Sequence, residues 1–402
     1  MGDYIKENGT FDLLRKLNLD KVYKLILLNS MISKTGIAEK AELNMVTVSN
    51  CANILIDKGV VEKIGLSSSK GGRPRETLAL KKNFGIFISL EINYIVGRIL
   101  IMDLQGQIFE RGILPDVQNH PEQFLDYVAE KVNWYKKNYP YMEFGIAGLS
   151  VILPINYNKN TGQVEFIYSL PHWNGFGILE ALKTRIPEVP VFVLQACEAA
   201  ALGEIHFGAS NPMKHMVCLM GALGISMSLY AQGKIYSGQD GFAGRIGHTI
   251  VDVNGRQCVC GNHGCLEAYA AIRPIIEQMH LPSEDFYENI QIILEKKREG
   301  DLVLKGILEE VVRYLAIGIV NVVNLYNVEE ICISSYLGTL LEGESLEQLR
   351  GMVDQLLQSH YKRNLRIYCS RLGSFAAVYG GISLIRDELV EIISTYDKNN
   401  DK

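Results

Sequence analysis

Apolar positions between residues 20 and 80 are spaced first for helices and then for strands. Val22, Leu25, Ile26 and Ile32 fit one face of a first helix. Residues 33–41 predict a short second helix with Ser33 as its N-cap, and 42–44 predict a turn. Residues 45–57 predict a third helix capped by Asn44, with Val48, Ala52 and Leu55 inward and Gly59 ending it. Val60, Val61 and Ile64 read as a strand, with Leu78 and Leu80 on its partner. Between them, residues 67–75 (SSSKGGRPR) form a flexible basic loop.

After residue 83 the pattern becomes α/β. Residues 84–90 and 95–102 read as paired strands with 103–106 as their hairpin turn, and 107–114 as a third strand. A helix is expected over 123–137, strands over 143–149 and 191–194, and an Ala-rich helix over 198–207. A similar β-rich series begins at 217–230 and 234–236. A long helix over 302–326, strands over 330–334 and 366–369, and a closing helix over 374–391 complete the chain. Hairpin-then-helix units occurring twice point to two related α/β lobes.

Composition narrows the class. With 402 residues, 48% of them hydrophobic, the chain folds into several domains and is not disordered. No apolar run approaches the ~18 residues of a membrane span, and the N-terminus lacks the basic-then-apolar build of a signal peptide. A cytoplasmic protein with reduced thiols and no membrane partner is expected. The net charge of −5 hides an asymmetry: residues 1–83 carry +5 and the remainder −10. A basic head on an acidic body fits a nucleic-acid module joined to another function.

Three helices and a hairpin form a winged helix-turn-helix, whose recognition helix enters the major groove. Lys34, Thr35, Asn44, Thr47, Asn50 and Asn53 are the candidate contacts from the helices, since Asn can pair bidentately with adenine. Arg73 and Arg75 on the Gly-hinged loop are placed to reach phosphates or a narrow minor groove. The competing reading is a winged helix used only for protein contacts, and the recognition helix carries no Arg or Lys before Lys58.

Three of the eight cysteines, Cys258, Cys260 and Cys265, fall within eight residues of a Gly-containing loop. Zn²⁺ takes four N/S ligands in a closed structural site. The fourth is His248 or His263, the latter strained by its place inside the loop. Cys51, Cys197, Cys218, Cys332 and Cys369 read as small hydrophobes.

The run GRIGH at 244–248, followed by CVCGNHGCLE at 258–267, closely resembles the signature of the ROK family of bacterial sugar kinases and sugar-responsive repressors. Further matches are Thr161-Gly162, Trp173, residues 200–204 (AALGE), 233–238 (GKIYSG) and 372–376 (LGSFA). The resemblance implies a two-lobed actin-like ATPase (RNase H-like) fold. It makes His248, Cys258, Cys260 and Cys265 the ligands of a structural zinc. The repressors, unlike the kinases, carry a winged helix-turn-helix ahead of this domain, and the GRP at 72–74 resembles their linker.

Departures from the kinase pattern matter most. The kinase phosphate loop Asp-x-Gly-Gly-Thr corresponds to Glu91-Ile92-Asn93-Tyr94-Ile95, where large side chains replace bare backbone. The second loop has become Ala222-Leu223-Gly224-Ile225-Ser226, and the adenosine-side Gly-Gly pair Ser334-Ser335. The kinases' catalytic Asn-Asp pair reads Gln195-Ala196, and a methyl group accepts no proton. No catalytic residue and no ATP are therefore expected. Glu198 is the nearest fallback base, on the wrong side of the helix.

The family's sugar-contacting positions correspond to Gln195, Ala196, Arg245, His248 and Glu267. Effector contacts are expected from Gln195, Arg245, His248 and Glu267. Arg245 either recognises an anionic sugar derivative or pairs internally, with Glu267 a candidate partner. The expected organisation is a head at 1–80, lobe I at 81–200 and lobe II at 201–373. The closing 374–402 segment is expected to pack back on lobe I. The expected protein is a regulator, most simply a repressor, of carbohydrate genes. It would bind an inverted repeat in duplex DNA as a dimer or tetramer and respond to a sugar, sugar phosphate or sugar acid. The alternatives are a sugar kinase with an appended head and a regulator that answers only to a protein partner.

Overall fold

The computed structural model describes residues 2–396 apart from 68–74, 118, 155–156, 159, 166–169, 209–214 and 358–364. The chain opens with α1 (Gly2–Leu27), β1 (Ile32–Ser33), α2 (Lys34–Ala41), α3 (Met45–Asp57), β2 (Val61–Ser67) and β3 (Arg75–Leu80). Both predicted caps are made: the Ser33 hydroxyl accepts from the Gly36 amide at 3.1 Å, and Asn44 Oδ1 accepts from the Thr47 amide at 2.8 Å. The chain turns between α2 and α3 with Glu42 in the left-handed region. Ile32 corrects the helical reading. It lies on β1 and pairs with Leu78, giving a three-stranded sheet β1-β3-β2. Arg75 begins β3, opposite Ser67, and so is not in the loop; Arg73 lies outside the described residues.

Two five-stranded sheets follow. The first is built from β4 (Ile86–Glu91), β5 (Arg98–Asp103), β6 (Ile108–Ile113), β7 (Ile146–Leu153) and β10 (Val191–Gln195), in the order β10-β7-β4-β5-β6. The same stretch of chain contributes α4 (Pro121–Asn138), a separate two-stranded sheet of β8 (Tyr157–Asn158) and β9 (Gln163–Val164), α5 (Ile178–Arg185) and α6 (Ala196–Gly203). The 103–106 turn joins β5 to β6, not β4 to β5, since the Gly106 amide donates to the Asp103 carbonyl.

The second sheet comprises β11 (His215–Gly221), β12 (Ile225–Ala231), β13 (Lys234–Tyr236), β14 (Glu330–Ser334) and β15 (Arg366–Cys369), in the order β13-β12-β11-β14-β15. With it come α7 (Glu267–Ala270), α8 (Ile272–Gln278), α9 (Phe286–Glu299), α10 (Leu302–Tyr326), α11 (Ser335–Leu341) and α12 (Glu344–Leu356). In each sheet a first strand pairs antiparallel with the second and parallel with the fourth, so strand order and direction repeat. That repetition of topology is what the sequence pattern hinted at without internal identity.

The expected single closing helix is two, α13 (Ala376–Asp387) and α14 (Leu389–Thr395). α13 returns to the first sheet and crosses α6 closely. A Cβ on Gly203 would meet the Ala376 carbonyl, and one on Gly380 the Ala199 carbonyl. One hydrophobic core runs through this layer into the head, joining Val22, Tyr23 and Ile26 of α1 to Ile382, Ile385 and Leu389. The predicted Ala-rich helix ends at Gly203, and one wider turn, Glu204–Gly208, continues it. Among the described residues, no helix is long and apolar enough to cross a membrane.

Candidate effector and metal site

The loop between β13 and α7 gathers the chemistry. Between His248 and the cysteines, an isolated bridge pairs Ile250 with Cys265. Gly264 has φ +71° and packs against the Asp252 carbonyl with no room for a Cβ, which folds the loop tightly back. The ligand atoms of His248, Cys258, Cys260 and Cys265 consequently lie within 4.8 Å of one another. His248 Nδ1 is 3.8 Å from Cys258 Sγ, and Cys260 Sγ is 3.7 Å from Cys265 Sγ. His263 is exposed and stands outside this group, which leaves His248 as the imidazole.

Burial and the neighbouring thiols push the Cys265 thiol up to about 12, and burial raises Cys258. Cys260 is lowered, chiefly by the Asn262 backbone amide. Three thiols this close to one imidazole can hold a tetrahedral metal ion, whose charge would favour the thiolates. The isolated cysteines behave as read: Cys51, Cys197, Cys218 and Cys332 are buried and Cys369 is half-buried.

Glu267 opens α7, directly after this loop. Its carboxylate accepts from the Ile225 amide at 3.0 Å and sits against Gly224 and Gly247, where side chains would collide with it. Gln195, the N-cap residue of α6, donates from Nε2 to the Gly241 carbonyl at 2.6 Å. Arg245 lies over the Phe242 ring, 5.7 Å from its centroid. The four expected effector residues thus form two groups. Gln195 and Arg245 are joined through the 241–245 loop, and His248 and Glu267 through the metal loop. A cavity of about 360 Å³ includes Glu267 but otherwise lies toward Arg256, Arg273 and Glu277.

Ala196 is buried at the start of α6. Glu198 accepts from the Ser237 hydroxyl at 2.5 Å. Tyr94, read from sequence only as a phosphate-loop obstruction, is largely buried, and its hydroxyl has no hydrogen-bond partner among the described residues. Burial, and then the charge of Glu267, raise its phenol.

The same loop supplies a buried network. Glu91 at the end of β4 pairs with Arg98 at 3.4 Å and accepts from Asn93 at 2.7 Å. Arg98 Nη2 donates to the Tyr336 hydroxyl of α11 at 2.5 Å, and its guanidinium lies over Phe375. Ser335, at the start of α11, has a left-handed φ of +64°, a conformation that favours glycine.

In the head, Asn44, Asn50 and Asn53 are exposed, while Thr47 is half-buried. Lys34 approaches Glu76 at 3.8 Å, and the Thr35 hydroxyl is bonded to that of Ser33 at 3.1 Å. Val46, which the sequence did not single out, is 71% exposed. Its spacing of four and seven from Asn50 and Asn53 was the overlooked signal.

Two lobes of one topology with a shared crossing of α6 and α13 define the actin-like ATPase class. The chain belongs to the ROK family, whose family profile matches residues 91–388. The xylose repressor of Caldicellulosiruptor bescii is 29% identical over 398 residues, covering 95% of this chain and 98% of that protein. Among solved structures, a ROK family transcriptional regulator described as a homologue of the E. coli MLC protein superposes with TM-score 0.78 at 22% identity. That match covers 95% of this chain and 98% of that one. A ROK family glucokinase from Streptomyces griseus, in complex with glucose and AMPPNP, gives 0.62 at 21% identity. It covers 75% of this chain but 99% of its own.

Proposed function

We propose that this chain is a DNA-binding transcriptional regulator, a repressor of carbohydrate genes, whose ROK body senses a sugar and has lost kinase chemistry. The observation that carries the proposal is the pairing of a head with a buried, methyl-bearing Ala196, at the position that by resemblance corresponds to the kinases' base. The head supplies α2, a turn and an exposed, polar-faced α3. The full-length likeness to a repressor, set against a glucokinase that lacks a counterpart to a quarter of the chain, supports the same reading.

In this reading residues 1–80 are a winged helix-turn-helix, with Lys34, Thr35, Asn44, Thr47, Asn50, Asn53, Arg73 and Arg75 toward DNA. Residues 81–200 and 201–373 are the lobes, and the closing segment belongs with the first. A homodimer matches a two-fold symmetric operator. His248, Cys258, Cys260 and Cys265 hold a structural zinc, which when bound fixes the loop that presents His248 and Glu267.

The effector is a sugar or an anionic sugar derivative held by Gln195, Arg245, His248 and Glu267. Its route to the head is α6. That helix starts at Gln195 and Ala196 and ends in the 204–208 turn. There the Phe207 ring packs under the Arg386 guanidinium at 5.3 Å, against the same hydrophobic core that holds Tyr23 of α1. An effector acts only through different affinity for the two arrangements of head and body. The test is direct. The full-length protein should retain specific duplexes from a random DNA pool and release them with one member of a panel of xylose, xylose phosphate and xylonate. ADP release over a sugar panel should stay at background. Robust turnover, or no retained DNA, would overturn the reading.

A further inference from the structure

The DNA-reading helix has an unusual inventory for its task. Val46, Asn50, Asn53 and Asp57 recur at intervals of four, three and four and are all exposed, so together they form the outward face of α3. This face carries no Lys or Arg. The commonest base contact, Arg or Lys bidentate to guanine, is therefore unavailable from it. It does offer two carboxamides, which suit adenine, and an apolar side chain exposed to 71% near the helix N-terminus.

Asp57 closes the far end of the face, where a carboxylate would repel phosphate. The groove-facing part is thus restricted to the first turns, with Val46 leading and Asn50 one turn behind. Asn44, bonded to the Thr47 amide, holds the helix start rigid for this. A β-branched side chain has little rotamer freedom to lose, and the one apolar feature that base edges present in the major groove is the thymine 5-methyl group.

We propose, resting on the DNA-binding reading above, that Val46 is a specificity-determining residue that packs on a thymine 5-methyl group in each half-site. Together with Asn50 on the neighbouring adenine, it makes α3 a reader of A·T pairs. The neighbouring Met45, 44% exposed, flanks the same contact.

Uracil differs from thymine only by that methyl group, which gives a clean experiment. Duplexes are selected from a random pool by the full-length protein, and each thymine of the best binder is then replaced singly by uracil. One position per half-site should weaken the wild type about fourfold, the worth of one buried methyl-sized group. Val46→Ala should bind the thymine duplex correspondingly less tightly and be insensitive to uracil there. Its melting temperature should be unchanged, because the side chain is exposed. The proposal is overturned if no thymine matters by about twofold, if Val46→Ala remains as sensitive as wild type, or if that variant alters the oligomeric state while leaving DNA affinity intact. If no duplex is selected at all, the DNA-binding reading itself fails, and the proposal falls with it.

Discussion

Arg98 on β5 and Tyr336 on α11 are joined by a 2.5 Å hydrogen bond that ties the first lobe to the second. Both residues are buried, and so is the Glu91 carboxylate that pairs with the same guanidinium. The network sits at the end of β4, in the stretch that resembles the kinases' phosphate loop. Removing Arg98 strands a buried carboxylate, and burial already raises Glu91 above its usual range. Arg98→Met should cost about 3–5 kcal/mol, whereas Tyr336→Phe, which removes one hydrogen bond to the guanidinium, should cost about 1.5–3 kcal/mol. Urea unfolding of both variants checks this, and equal effects would show that the ion pair does not dominate.

The four-residue metal group makes a sharper demand. Cys260→Ser should lose bound zinc and lower the melting temperature by about 5–10 °C, equivalent to about 2–3 kcal/mol in a lobe of this size. Chelation of the wild type should match it. His263→Ala should change neither, since that imidazole is exposed and stands apart. Metal content by mass spectrometry and scanning calorimetry decide together. Loss of zinc from His263→Ala would reassign the fourth ligand.

Glu204 gives a pH signature. Burial raises its carboxyl above the usual 4.5, against the stabilising hydroxyl of Ser370. A carboxyl raised in the folded state holds more protons there than in the unfolded chain. Its contribution is therefore most favourable below the unfolded pKa and is lost as pH rises through the folded one. Relative to Glu204→Gln, the wild type should lose unfolding free energy as pH climbs from 4.5 into the neutral range. A difference independent of pH would contradict the assignment.

The seam between head and body rests on Tyr23, which is fully buried and whose hydroxyl has no hydrogen-bond partner among the described residues. Tyr23→Phe should stay within about 1 kcal/mol of wild type, while Tyr23→Ala should cost about 3–5 kcal/mol through the cavity it leaves. Phe207→Leu, which removes the ring beneath Arg386, should bind DNA normally yet respond less to effector. Undiminished effector release from that variant would exclude the α6 route.

Much of this protein is set by local pattern. The spacing of Val48, Ala52 and Leu55, with Ser33 and Asn44 as caps, specified α2 and α3 because capping and amphipathicity act within a few residues. The Cys-rich loop marked a candidate metal site because three thiols so close in sequence must be close in space, but it left the imidazole open between His248 and His263, and the fold brings His248 to the thiols. What local pattern left undetermined is long-range. Ile32 reads as helical by spacing but belongs to a strand, because pairing with Leu78 outweighs its local preference. The identical strand order of the two lobes, the return of α13 onto α6 and the contact of Arg98 with Tyr336 join residues far apart in the chain. Only tertiary packing, which burying those surfaces together stabilises, could decide them.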